Sequence, residues 1–139
     1  MHFDTTIDVN ASAADIWSVM RDVERWPEWT ESITKVERLD AGEFGVGSRA
    51  RIKQPGMPSV VWEVTELTAE RSFTWVASSP GMKTVATHVL TETGAGTTVA
   101  LSLDQTGALS GLVGRLMAGK TRRFLAMEAA GLKSRATSF

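Results

Sequence analysis

The sequence predicts an α+β domain in which a curved, seven-stranded antiparallel sheet wraps around one long C-terminal helix, with two short helices inserted after the first strand. Three observations predict it: period-2 alternation at the N-terminus, an unbroken series of strand and turn signals from Ile33 to Thr106, and helical spacing of apolar residues through the last third. At 139 residues the chain has the length of one domain, residues 1–139, because two cores of half that size would each be marginal.

Phe3, Thr5, Ile7 and Val9 alternate with His2, Asp4, Thr6 and Asp8, as on a half-buried strand. Ser12 is a capping residue with Asp15 three positions on, ahead of Ile16, Val19, Met20 and Val23 at helical spacing, which predicts a helix of about three turns. Pro27 cannot continue that helix, so Glu24–Glu31 is expected to break and restart as a short helical turn. Turn-type residues at Asp40–Gly47, Gln54–Pro58, Ala69–Glu70, Ser78–Met82 and Thr93–Gly96 divide the next stretch into six strands. A twisted sheet of that extent curls and needs something to fill it. Leu109, Val113, Leu116, Met117, Phe124 and Met127 share one side of a helical wheel and predict the filling helix, running to about Gly131.

Composition excludes several functions. Cysteine is absent, which removes thiolate nucleophiles, disulfides and Cys-ligated metal sites. The net charge of −1 provides no field for recruiting nucleic acid, and no apolar run is long enough to span a membrane. A cytoplasmic protein without stable membrane insertion is expected, as a monomer or a homodimer. Charge is distributed unevenly: residues 107–139 hold Arg115, Lys120, Arg122, Arg123, Lys133 and Arg135 against Glu128 alone, a balance of +5 that leaves −6 for the rest. Such cations suit a solvated helix face and its C-terminal dipole, or else an acidic partner.

Strand alternation assigns the inward side chains. Val60, Trp62 and Val64, then Phe73, Trp75 and Ala77, then Ala86, His88 and Leu90, and finally Val99, Leu101 and Leu103 face the helix. His88 is the polar exception: an imidazole there can act as general acid or base, hydrogen-bond a ligand carbonyl, or sit in the core satisfied by one backbone or hydroxyl partner. Lys120 interrupts the apolar stripe of the last helix. Its ammonium can bind a carboxylate, polarise a ketone or act as a nucleophile, or it can reach water or stack on Trp62 or Trp75 while its methylenes cover apolar surface. Trp26 and Trp29 flank Pro27, where they can close one end of the sheet. Tyrosine is absent, so no phenolic acid is available to a reaction.

Gly114–Thr121 spells the phosphate-loop pattern G-x-x-x-x-G-K-[ST], but Leu116 and Met117 lie in the helical stripe and no later strand remains to supply a magnesium ligand. No nucleotide is therefore expected. The histidines, His2 and His88, come without a converging carboxylate set, and no serine lies in G-x-S-x-G, so neither a metal nor a serine triad is indicated.

Several segments together resemble the START-like superfamily (SRPBCC), and within it the small bacterial polyketide cyclase/dehydrase-type proteins. They are the opening strand followed by Ala14-Asp15-Ile16-Trp17, then Asp22 through Trp26-Pro27-Glu28-Trp29, Gly45-Val46-Gly47-Ser48, Trp62, Phe73 with Trp75, His88, and Gly94-Ala95-Gly96-Thr97-Thr98. The resemblance spans the whole chain and implies the helix-grip, Bet v 1-like fold with a cavity for a hydrophobic ligand, but not a particular reaction. The expected occupant is a small hydrophobic molecule held by Trp62, Phe73, Trp75, His88, Leu101, Met117, Lys120 and Phe124, with no cofactor. The alternative is a cyclase or dehydratase in which His88 moves a proton and Lys120 steadies an enolate.

Overall fold

The computed structural model describes residues 1–138; Phe139, the last residue of the expected domain, lies outside them. Seven strands form one antiparallel sheet: β1 (His2–Val9), β2 (Lys35–Arg38), β3 (Arg49–Lys53), β4 (Val60–Thr68), β5 (Ser72–Ser79), β6 (Met82–Thr93) and β7 (Gly96–Thr106). Their order is β1-β7-β6-β5-β4-β3-β2, so each consecutive pair from β2 onward is a hairpin and only β1 joins from outside, beside β7. Helix α1 (Ala13–Met20), a 3-10 helix (Val23–Glu28) and helix α2 (Ser110–Ala136) complete the α+β helix-grip architecture.

The alternation holds strand by strand. Phe73, Trp75, Ala77, Ala86, His88, Leu90, Val99 and Leu101 are all buried, as is Val64, whereas Val60 and Trp62 are half-buried beside a cavity. A bulge between Val64 and Glu66 shifts the register of β4 against β5, after which Leu67 pairs with Phe73.

The short helices differ in extent from expectation. Ser12 caps α1, its hydroxyl accepting from the Asp15 N–H at 3.1 Å. The helix nevertheless ends at Met20, because Asp22 leaves helical geometry (φ −86°, ψ 68°) and Val23 opens the next turn. Pro27 sits inside that 3-10 helix. The indole N–H of Trp26 donates to the Met20 carbonyl at 2.9 Å, satisfying one of the acceptors that the end of α1 leaves open.

Helix α2 requires a correction. Its buried residues are Gly114, Leu125, Ala129, Leu132 and Ala136, while Leu109, Leu112 and Leu116 are 45%, 63% and 76% exposed. On a wheel of about 100° per residue, the buried line lies roughly 120° from the stripe centred on Val113. The reason is steric: Gly114, Ala118, Ala129 and Ala136 let the helix axis lie close to its neighbours, and a face of large side chains would hold it away. The helix also continues past Gly131. A Cβ at that position would run into the carbonyl oxygen of Trp29, so the glycine provides close approach rather than termination. Gly114–Thr121 is uninterrupted helix, and no helix among the described residues is long and apolar enough to cross a membrane.

Candidate functional site

Between the inner face of the sheet and α2, along the stretch from Met117 to Glu128, lies a cavity of about 180 Å³. Its apolar wall includes Trp26, Trp62, Trp75, Leu101, Met117 and Phe124, and its polar groups include His88, Gln105, Lys120 and Glu128. The sheet supplies the wall because inward residues of β4 to β7 repeat every second position. The helix supplies Met117, Lys120, Phe124 and Glu128 because these recur at spacings of three and four.

The aromatic side chains form one cluster around Trp26, whose ring lies 5.4 Å from Trp75, 5.6 Å from Trp29 and 5.8 Å from His88. Trp62 extends the cluster along the wall, 5.8 Å from Trp75. Phe73 is fully buried and stands behind the cavity wall rather than in it. Alternation places it on the correct face, but its depth depends on Phe44 and Trp17, which cover it at 5.3 and 6.3 Å. Its role is to support His88: the two rings stack at 4.0 Å and 9°.

His88 is 4% exposed, and its Nδ1 lies 3.2 Å from the Phe73 carbonyl oxygen. A carbonyl only accepts, so Nδ1 carries the proton and Nε2 presents a lone pair. Burial drives the imidazole pKa down to about 4, against the opposing effect of the Phe73 carbonyl. The ring is therefore neutral at pH 7. Facing Nε2 at 3.9 Å is Glu128 Oε2. Burial raises this carboxyl to about 7, so near neutrality the acid is divided between its protonated and charged forms.

Glu128 is the site residue that sequence reasoning missed, although a signal was present. On the same wheel it falls at about 60°, between Met117 at about 40° and Thr121 at about 80°. A lone acid at a cavity-facing angle in an otherwise basic segment carries more information than its contribution to net charge.

Lys120 occupies the rim. Its Nζ lies 5.6 Å from the Phe124 ring centre and abuts Gly56 in the β3–β4 turn, where a Cβ would come within 2.5 Å of it. The aromatic it meets is thus Phe124 rather than Trp62 or Trp75. Gly56 also has φ +73°, so both its conformation and the ammonium favour glycine there. Lys120 and His88 line the same cavity, one at its edge and one at its buried end.

This geometry defines a class: a helix-grip domain holding an apolar cavity with one buried imidazole–carboxyl pair. Comparison with known proteins narrows it. The family model for polyketide cyclase / dehydrase and lipid transport matches residues 1–137, and the chain belongs to that family. Among solved structures, a START superfamily protein from Mycobacterium smegmatis is 22% identical with a TM-score of 0.77, over 98% of this chain and 99% of that one. The ZhuI aromatase/cyclase from Streptomyces sp. R1128 is 18% identical with a TM-score of 0.78, covering 98% and 93%. The protein TTHA0849 from Thermus thermophilus is also 18% identical with a TM-score of 0.78, covering 98% and 97%. At these identities the likeness establishes the fold. A search of curated proteins returns no match.

Proposed function

We propose that the protein binds a small, largely hydrophobic molecule, polyketide-, lipid- or aromatic-like, in the cavity between the sheet and α2. The observation that carries this reading is the cavity itself, about 180 Å³ with a wall that is mainly apolar, to which indole, phenyl and aliphatic groups contribute most. An apolar cavity of about 150 Å³ accommodates a benzene ring. The enclosed space therefore suits one ring or a short acyl segment, with a larger molecule extending past Lys120 toward solvent. Family membership supports a hydrophobic cargo or substrate.

Native mass spectrometry of the protein purified from its source organism, followed by denaturing extraction, tests the reading. A stoichiometric apolar molecule is expected. A protein that arrives empty and shows no chemical-shift change at Leu101, Met117 or Phe124 on titration with toluene refutes it.

A second reading, a cyclase or dehydratase, is favoured by one feature. Glu128 changes charge near pH 7 inside the cavity, as an acid–base catalyst must. In that reading Glu128 is the group whose proton moves, because His88, held near pH 4, is a weak base; His88 orients the substrate and Lys120 steadies developing negative charge at the rim. The two readings separate when the recovered molecule or its precursor is presented to Glu128→Gln. Conversion lost with binding retained supports an enzyme, and the absence of conversion by the parent protein supports a carrier.

A further inference from the structure

The hydrogen-bonding valences left open at the buried end of the cavity specify part of the ligand. His88 Nδ1–H is committed to the Phe73 carbonyl, and the ring is held by its stack on Phe73 and by Trp26 and Trp75 around it. Nε2 is thus a fixed acceptor. Its neighbour Glu128 Oε2 is 3.9 Å away, too far for a direct hydrogen bond, and Glu128 makes no hydrogen bond to another described residue. A single oxygen placed about 2.8 Å from both atoms spans such a gap at an angle of about 90°.

We infer that the ligand carries a neutral hydroxyl group, phenolic or alcoholic, whose oxygen bridges His88 Nε2 and Glu128. This deepens the binding reading above and rests on it. A hydroxyl matches both partners: it donates its proton to Nε2 and accepts from the carboxyl O–H of Glu128. A ketone or ether has no proton for Nε2. A carboxylate likewise has no proton for Nε2, and its charge must be stripped of water to enter an apolar wall. An ammonium offers three donors where the pair supplies two acceptors, and it too must be stripped of water.

Calorimetric titration at pH 6 with toluene, p-cresol, p-toluate and 4-methylbenzylamine tests the inference, because these probes share one ring and differ in the polar group. p-Cresol should bind about tenfold more tightly than toluene, the factor that corresponds to one satisfied buried hydrogen bond. Neither the acid nor the amine should exceed it. Glu128→Leu should weaken the p-cresol preference, leaving only the bond to Nε2, while toluene still binds. Glu128→Gln, which retains an N–H donor, should keep most of the preference. Because the Leu variant changes the cavity, a measurement on the parent protein accompanies it: the ¹⁵N shift of His88 Nε2 should move with p-cresol and stay in place with toluene.

Equal affinities for toluene and p-cresol overturn the hydroxyl inference and leave the cavity reading standing. Failure of every probe to bind overturns both. Tightest binding of p-toluate or of the amine replaces the hydroxyl site with an anion or a cation site.

Discussion

From Leu125 to Ala136, helix α2 packs into the core, with Leu125 and Glu128 still reaching the cavity; from Ser110 to Phe124 it is mostly exposed and roofs that cavity. The second half buries Leu125, Ala129, Leu132 and Ala136 and presses Gly131 onto the Trp29 backbone. The first half buries only Gly114 and turns Leu112 and Leu116, with Leu109 just ahead of them, toward solvent. One continuous helix therefore combines a segment fixed by packing with one that has little beneath it. Low local stability is what a buried site needs if molecules are to enter it. The amides of the first half should exchange with solvent faster than those of the second.

The strongest way to break this comparison is to damage the fixed half. Leu132, 1% exposed in the core, should cost about 2–5 kcal/mol on replacement by Ala, read from urea unfolding, since the surrounding helices and sheet cannot collapse fully onto the vacancy. A cost under about 1 kcal/mol would show that the two halves do not differ in the way their burial indicates. Gly131→Ala follows, at about 1–3 kcal/mol, because the added methyl meets backbone rather than a side chain that can turn away.

The next effect depends on pH and arises at the junction of the halves. Glu128 keeps its proton in the folded protein up to about pH 7 but loses it near 4.5 when unfolded, so its contribution to stability is present at low pH and is lost as pH rises through that window. His88 has the opposite sign: it protonates near 6.5 unfolded but only near 4 folded, so its contribution is lost as pH falls. Between about pH 4.5 and 6.5 the two slopes oppose one another. Glu128→Gln leaves His88 unopposed, and the variant should gain on the parent by about 1.4 kcal/mol per pH unit across that range. Parallel stability profiles for variant and parent would mean that the carboxyl is solvated and titrates normally.

How much of this was legible in the sequence follows the same division. The sheet was, because period 2 and turn chemistry are local: Phe73, Trp75, Ala86, His88, Val99 and Leu101 all point inward where alternation puts them. The face of α2 was not. A wheel weighted toward large apolar residues selects Leu109 and Leu116, whereas close packing of a helix selects small ones, and only the tertiary arrangement determines which requirement prevails. Trp62, Trp75, Leu101, Met117 and Phe124 reach the cavity, while Phe73 does not, since periodicity gives a side chain's direction but not its depth. Glu128 lay at a readable angle, yet its effect depends on His88, forty residues earlier in sequence and on another element.

The smallest prediction is the most pointed, because it concerns the residue on which sequence and structure disagree most. Leu116 has the size and spacing of a core position but is 76% exposed. Its replacement by Ala removes little buried surface, and Ala is the better helix former, so stability should change by less than about 0.5 kcal/mol. The same substitution at Leu132 is expected to cost several times more. Equal losses at the two positions would show that the first half of α2 packs as tightly as the second in solution, and the cavity beneath it would then have to close. A near-zero effect at Leu116 beside a large one at Leu132 would locate the core on the line of Gly114, Leu125, Ala129, Leu132 and Ala136 and leave Leu116 with no part in holding the fold together.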